Sequence, residues 1–218
     1  ENGAGKTTLI KSMLGIVKPT AGTAVLLGAD PDRAKEDIGM VLDDCFFSEY
    51  LRVRDVETVL CRVFKTWDKG LYRDYLDKFG LSGAKNIKEL SRGMRMKLSL
   101  AAALAHRPRL LLLDEATAGL DPVVRDEILD EFLAFVSDED HAILISSHIT
   151  SDLEKVADYI AYLHQGKLLL CDEKDRLLES YGRLVCAREE LEQVDRGYLV
   201  RVRKSPAQRA QGGHAIPA

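Results

Sequence analysis

Arg109 to Asp121 reads RLLLLDEATAGLD, and its first half decides the fold. Four consecutive leucines, Leu110 to Leu113, predict a short strand buried on both faces, as in a parallel sheet. Asp114 and Glu115 follow at once, so fixed negative charge stands at the rim of that sheet. Open α/β sheets bind ligands at the carboxyl ends of their strands. Two adjacent acids repel each other unless a cation joins them, which makes a metal ion the natural partner. A strand end followed by a solvated turn is the plainer alternative for this stretch alone.

The start of the chain, ENGAGKTTLIKSMLG, supplies a complementary feature. Gly5-Lys6-Thr7 fit the back half of the phosphate-loop pattern, Gly, four residues, then Gly-Lys-Ser/Thr. Gly3 and Gly5 let the backbone curl until its N–H groups converge on an anion. Lys6 would reach the terminal phosphates and the Thr7 hydroxyl would bind Mg²⁺. The helix expected over Thr7 to Leu14 aims its positive end at the same point. The first glycine of the pattern would fall one position before Glu1. The expectation is therefore a fragment or truncated gene product, with a strand feeding the loop lost.

Two further strand ends carry polar tips. Ile38 to Leu42 is apolar and runs into Asp43 and Asp44; Ala142 to Ile145 runs into Ser146-Ser147-His148. A lone histidine is usually structural, but Asp43, Asp114 and His148 at three strand ends point to one rim.

The remaining chain reads as follows. Thr23 to Leu27 is expected to be a short strand and Gly28 to Asp32 a loop. From about Cys45 to Leu98, helical spacing recurs: Val56, Val59, Leu60, Val63 and Phe64, then Leu71, Tyr75, Leu76 and Phe79. Trp67 reads as packing and Lys85, Lys88 and Glu89 as a solvated face. Ser91 is the expected N-cap of a helix reaching Ala105, ended by Pro108. Asp121 and Pro122 restart a helix whose apolar face holds Val124, Ile128, Phe132 and Val136; Asp126, Glu127, Asp130 and Glu131 read as solvated. Ser151 and Glu154 fit a capping box. Tyr159 to Leu163 and Lys167 to Cys171 read as a hairpin. Glu173 to Tyr181 is expected to be helical, Leu199 to Val202 a strand, and residues 204–218 disordered.

Composition limits the function. The 218 residues are 46% hydrophobic and 30% charged, with net charge −4 and a pI near 5.8. A folded core is expected, and nucleic acid is not an expected partner. No apolar run approaches the roughly 20 residues of a membrane-spanning helix, so a membrane role would come through a separate partner chain. The four cysteines, Cys45, Cys61, Cys171 and Cys186, lack metal-ligand spacing and read as reduced cytosolic thiols.

Together these motifs closely resemble the ATP-binding cassette (ABC) ATPases, the nucleotide-binding subunits of ABC transporters. GAGKTT at Gly3 to Thr8 matches the phosphate loop, LSRGM at Leu90 to Met94 the family signature, and LLLLDE at Leu110 to Glu115 the acidic strand. AGLD at Ala118 to Asp121 looks like the dimer loop and Ser147-His148 like the switch histidine. Their order and spacing agree from residue 1 to about 171. DDCFFSEYL and SRGMRMKLSLAAALAH look most like bacterial single-domain subunits of exporters whose membrane part is a separate protein.

The resemblance implies an α/β fold: a P-loop NTPase sheet core over residues 1–171, with a helical subdomain inserted at about 45–105. A small C-terminal extension, 172–203, and a tail would follow. It implies that Asn2, Gly3, Ala4, Gly5, Lys6, Thr7 and Thr8 cradle ATP phosphates, with Mg²⁺ held by Thr7, Asp43 and Asp114. Glu115 would polarise the attacking water and His148 would sense the γ-phosphate. Ser91, Gly93 and Met94 would be offered to ATP on a second subunit, because the family hydrolyses ATP as a head-to-tail dimer. A transmembrane permease subunit is the other implied partner, with Cys45 to Arg54 as docking stretch. The expected location is the inner face of the cell membrane, peripheral through that partner.

Three departures stand out. The first loop glycine and the upstream base-stacking aromatic are missing. Asp43 replaces the usual glutamine; it can hold Mg²⁺ but cannot donate a hydrogen bond to water. Arg92 and Met94 replace the usual glycine and glutamine; Arg92 is read as facing solvent, with charge near a partner's γ-phosphate as the alternative. A non-transport ABC ATPase and a non-catalytic nucleotide-binding regulator remain as competing functions.

Overall fold

The computed structural model describes residues 3–180. Glu1, Asn2 and residues 181–218, including Cys186, the expected strand at Leu199 to Val202 and the expected disordered tail, lie outside the described residues. The chain divides into two compact units, Glu1–Leu178 and Glu179–Ala218, and the account below concerns the first.

Its centre is a three-stranded parallel sheet in the order β1-β2-β3, with β1 at Ile38–Val41, β2 at Leu110–Asp114 and β3 at Ala142–Ser146. Register is fixed by Val41 beside Leu113 and by Leu113 beside Ile145. The four leucines of β2 are all buried because successive side chains leave a strand on opposite faces. Leu111 and Leu113 enter the larger core, with Leu98, Leu100, Ile128 and Phe132. Leu110 and Leu112 enter a smaller one with Ile10, Ala34 and Ile38. The first face is covered by α5 (Arg92–Leu104) and α6 (Pro122–Val136), the second by α1 (Lys6–Met13) and α2 (Pro31–Ala34). A Cβ at Gly39 would stand 2.5 Å from Leu111 Cδ2 and 3.0 Å from the Ala103 carbonyl oxygen, so only glycine allows α5 to lie this close to β1.

Helices α3 (Asp55–Leu60) and α4 (Lys69–Lys78) pack with α5 on the larger core. Asp68 starts α4 by accepting the Leu71 N–H. The buried Tyr72 hydroxyl donates to the Val53 carbonyl at 2.8 Å, and Trp67 lies 5.3 Å from the Tyr72 ring as a packing residue. Beyond β3 come α7 (Thr150–Val156), the antiparallel hairpin of β4 (Tyr159–His164) and β5 (Lys167–Glu173), and α8 (Lys174–Ser180). The hairpin turn, Gln165-Gly166, has positive φ at both residues, as a two-residue hairpin of the observed twist demands.

Five readings need correction. Thr23 to Leu27 forms no strand; a single bridge pairs Leu26 with Ala29. The loop at Gly28 to Asp32 gives way to α2, which Asp30 caps and Pro31 opens. The helix from Val56 stops at Leu60, and Val63 and Phe64 sit in a turn hydrogen-bonded to the Leu60 carbonyl. Ser151 caps nothing: α7 starts from Ile149 without a side-chain cap, so Ser151 lies inside the helix, where its hydroxyl accepts from Arg125. Glu131 is buried, not solvated, and pairs with Lys78 of α4 at 2.5 Å.

Candidate functional site

The loop before α1 is shaped by glycine. Gly3 and Gly5 sit at φ 76° and 102°, in the left-handed region where a Cβ is strained. Ala4 is buried between them, and its carbonyl accepts the Gly166 N–H at 3.0 Å. The β4–β5 turn thus braces the loop from behind. Gly5 is the N-cap of α1 and offers no side-chain cap, which suits the first-turn amides of α1 to an anion.

The strand tips converge on this loop. Gly3, Ala4, Gly5, Lys6, Thr7, Thr8, Asp43, Glu115 and His148 line one open cleft of about 410 Å³, together with Arg92 and Ala118. Glu115 is its hub. Lys6 Nζ lies 3.5 Å from Glu115 Oε1, and His148 Nδ1 lies 2.6 Å from Glu115 Oε2. Glu115 itself is held at φ 52°, a conformation non-glycine residues rarely adopt. Its N–H donates to both the Ser146 carbonyl and the Ser146 hydroxyl, at 3.0 and 3.2 Å. That serine hydroxyl also donates to Asp114 Oδ1. Ser146, the residue β3 sets beside Asp114, therefore fixes both acids at once.

The remaining site candidates fall differently. Asp114 is buried at the end of β2, behind the cleft surface. Ser91 is spent locally, its hydroxyl accepting the Met94 N–H to start α5. Ser91, Gly93 and Met94 do not line the cleft. Asn2 lies outside the described residues. Arg92 is exposed, as the solvent reading expects, and it also lines the cleft. Its guanidinium packs on Gly119, where an added Cβ would stand 3.3 Å from Arg92 Cζ.

Among the described residues no group of three or more His, Cys, Asp or Glu side chains could hold a metal by itself. Mg²⁺ asks for less, since it usually keeps several waters and takes one or two carboxylates plus substrate phosphates. The Thr7 hydroxyl and the Asp43 carboxylate in one cleft fit that mode. One cluster was not legible in the sequence: buried Thr117 and Asp152 and the partly exposed Arg125 share hydrogen bonds near the Glu115 loop, and no motif announces them.

Comparison with known proteins agrees with this geometry. The sequence profile described as "ABC transporter" matches residues 1–118. The chain is 34% identical over 174 residues to the bacitracin transport ATP-binding protein BcrA of Bacillus licheniformis, a match covering 77% of this chain and 57% of that protein. It is 34% identical over 177 residues to the lantibiotic transport ATP-binding protein SrtF of Streptococcus pyogenes, covering 80% and 76% respectively. The chain spans little more than half the length of several curated relatives it matches. Among solved structures it is similar in fold to cbiO1 from Clostridium perfringens, part of the ABC transporter complex cbiONQ, with TM-score 0.67, 23% identity and coverage of 82% of this chain and 76% of that one. With the profile covering more than half of its residues and the acids, lysine and histidine meeting in one cleft, the chain belongs to the ABC transporter ATP-binding family.

Proposed function

We propose that this chain binds and hydrolyses ATP to drive an ABC transporter, as an exporter subunit working with a separate transmembrane permease and a second ATPase subunit. The observation that carries the reading is the contact of Glu115 with both Lys6 and His148 inside the cleft that the phosphate loop lines. Phosphoryl transfer asks a protein mainly for charge neutralisation and an aligned water. Lys6 and the loop amides would receive the β- and γ-phosphates. Arrival of the γ-phosphate would draw Lys6 and His148 from Glu115 toward the phosphate oxygens. The carboxylate so released would orient the attacking water. Mg²⁺, when bound near Thr7 and Asp43, supplies further charge neutralisation.

No helix among the described residues is long and apolar enough to cross a membrane, which suits a role through a permease. The relatives named for bacitracin and lantibiotic transport support the transport reading. The exposed Phe46 and Tyr50 lie in the stretch offered for docking. A nucleotide-binding regulator is the second reading, favoured by Asp43 in place of glutamine.

The test is ATP turnover and ATP binding by the full chain and by Glu115→Gln. The variant should bind ATP and lose at least about a hundredfold in turnover, the scale on which single catalytic groups act. Binding without turnover in the unmodified chain would favour the regulator. Copurification with a polytopic membrane protein tests the transport half, and recovery of only water-soluble partners would oppose it.

A further inference from the structure

Two side chains from separate segments, Thr117 and Arg125, share the buried carboxylate of Asp152. Asp152 in α7 is 1% exposed, and both its oxygens are engaged. Thr117 Oγ1, itself buried, donates to Asp152 Oδ2 at 2.6 Å. Arg125 Nε of α6 donates to Asp152 Oδ1 at 2.6 Å, and its Nη2 donates to the same oxygen and to Ser151 Oγ, the latter at 2.7 Å. Chain position gives the trio its meaning. Thr117 lies two residues after Glu115, and Asp152 four residues after His148. The two loops thus meet twice, at the surface through His148 and Glu115 at 2.6 Å and below through Asp152 and Thr117.

We infer that Asp152, with Thr117 and Arg125, is a positioning device that makes Glu115 and His148 a single unit in ATP hydrolysis. A buried carboxylate strongly disfavours losing either partner, so the α7 end and the acidic loop hold one relative placement. Glu115 sits at φ 52°, and such a conformation persists only where its surroundings over-determine it. The Ser146 contacts fix its backbone from one side; the Thr117–Asp152 bond fixes the loop from the other. None of the three lines the cleft, so the trio would act through Glu115 and His148, which do. This inference rests on the ATPase reading.

The decisive variant is Thr117→Val, close in shape but unable to donate; Thr117→Ser is the rescue. Thr117→Val should lower kcat for ATP about tenfold, inside the hundredfold that a displacement of about 1 Å can cost, and leave KM within twofold. Thr117→Ser should restore kcat to within about twofold. On a His148→Ala background, Thr117→Val should cost less than twofold, because the pair it aligns is already broken. An unchanged kcat, a loss carried in KM, no rescue by serine, or the same tenfold loss on both backgrounds would overturn the inference. Hydrogen exchange gives a readout independent of turnover: Thr117→Val should speed exchange in residues 115–121 and 147–156 together, and a change confined to one segment would overturn the coupling. A wild-type chain that hydrolyses no ATP would refute the ATPase reading, while the exchange measurement would still decide whether the two loops are coupled.

Discussion

Arg92 shows how far one side chain escapes pattern reading. The LSRGM turn placed it at the start of a helix, where it could face solvent or nucleotide; packing on Gly119 turns it into the cleft. Gly119 sits at φ 67°, and a side chain there would be both strained and in the way of the guanidinium. Arg92→Ala should therefore weaken ATP binding about three- to tenfold, as expected for one solvent-accessible charge on a phosphate. The loss should shrink as salt is raised, and isothermal titration at two ionic strengths reads both. Asp43 makes a second residue-scale prediction. It lines the same cleft as Thr7, so Asp43→Gln removes a carboxylate that Mg²⁺ could use and supplies a hydrogen-bond donor. Half-maximal turnover should then need several-fold more Mg²⁺; an unchanged Mg²⁺ titration would remove Asp43 from the metal site. Lys6, Glu115 and His148 were legible because their motifs constrain backbone and chemistry together. The Thr117–Arg125–Asp152 trio was not, because nothing local in a helix interior says that a distant loop will end there.

At the scale of elements, legibility followed whether the local signal survived tertiary competition. The leucine strand, the Asp121-Pro122 helix start and the Ser91 cap were plain, and each is observed. Thr23 to Leu27 had strand composition, but among the described residues no neighbouring strand completes its hydrogen bonds beyond the Leu26–Ala29 bridge. Ser151 had the capping spacing, yet Arg125 claims its hydroxyl. The Asp30-Pro31 start of α2 carries its own local signal, a cap followed by proline at the first turn. Glu131 was misplaced because α6 is broader on its buried side than one apolar stripe suggests; it reaches Lys78 on α4 and ties the two helices. Lys78→Met leaves that carboxylate buried without its cation. It should cost about 1–2 kcal/mol, below the range for fully buried pairs because Lys78 is about half exposed. Restoring stability in a Lys78→Met, Glu131→Gln double variant would confirm the pairing in a urea denaturation series. Gly39→Ala tests the other helix contact: with the Ala103 carbonyl oxygen and Leu111 in the way, it should lose about 1–3 kcal/mol by overpacking.

For the whole molecule, the sheet is the device that gathers the chemistry, and the strand order β1-β2-β3 brings three polar tips to one margin. The sequence announced the tips but not their order, since parallel strands meet only through distant crossovers. The same architecture carries a titratable group far from the cleft. His106, after α5, is buried, stacks on Phe64 at 4.0 Å between ring centroids, and donates Nε2–H to the Ile38 carbonyl of β1 at 3.0 Å. Burial lowers its pKa below the ordinary 6.5, only partly offset by the Ile38 and Ala102 carbonyls and by Glu36 and Asp37. The sign of the linkage follows. Below about pH 6.5 the unfolded chain takes up a proton at this position while the folded chain resists it, so the unfolded state binds more protons and stability falls with pH. The stabilisation is complete above the unfolded value and is lost as pH drops toward the folded one. His106→Gln keeps a donor for Ile38 and does not titrate. Its urea midpoint should lie below that of the wild type at pH 8, and the gap should narrow as pH falls from about 6.5 to 5. A gap that stays constant over that range would mean that His106 titrates alike in both states and that its burial does not couple the fold to pH.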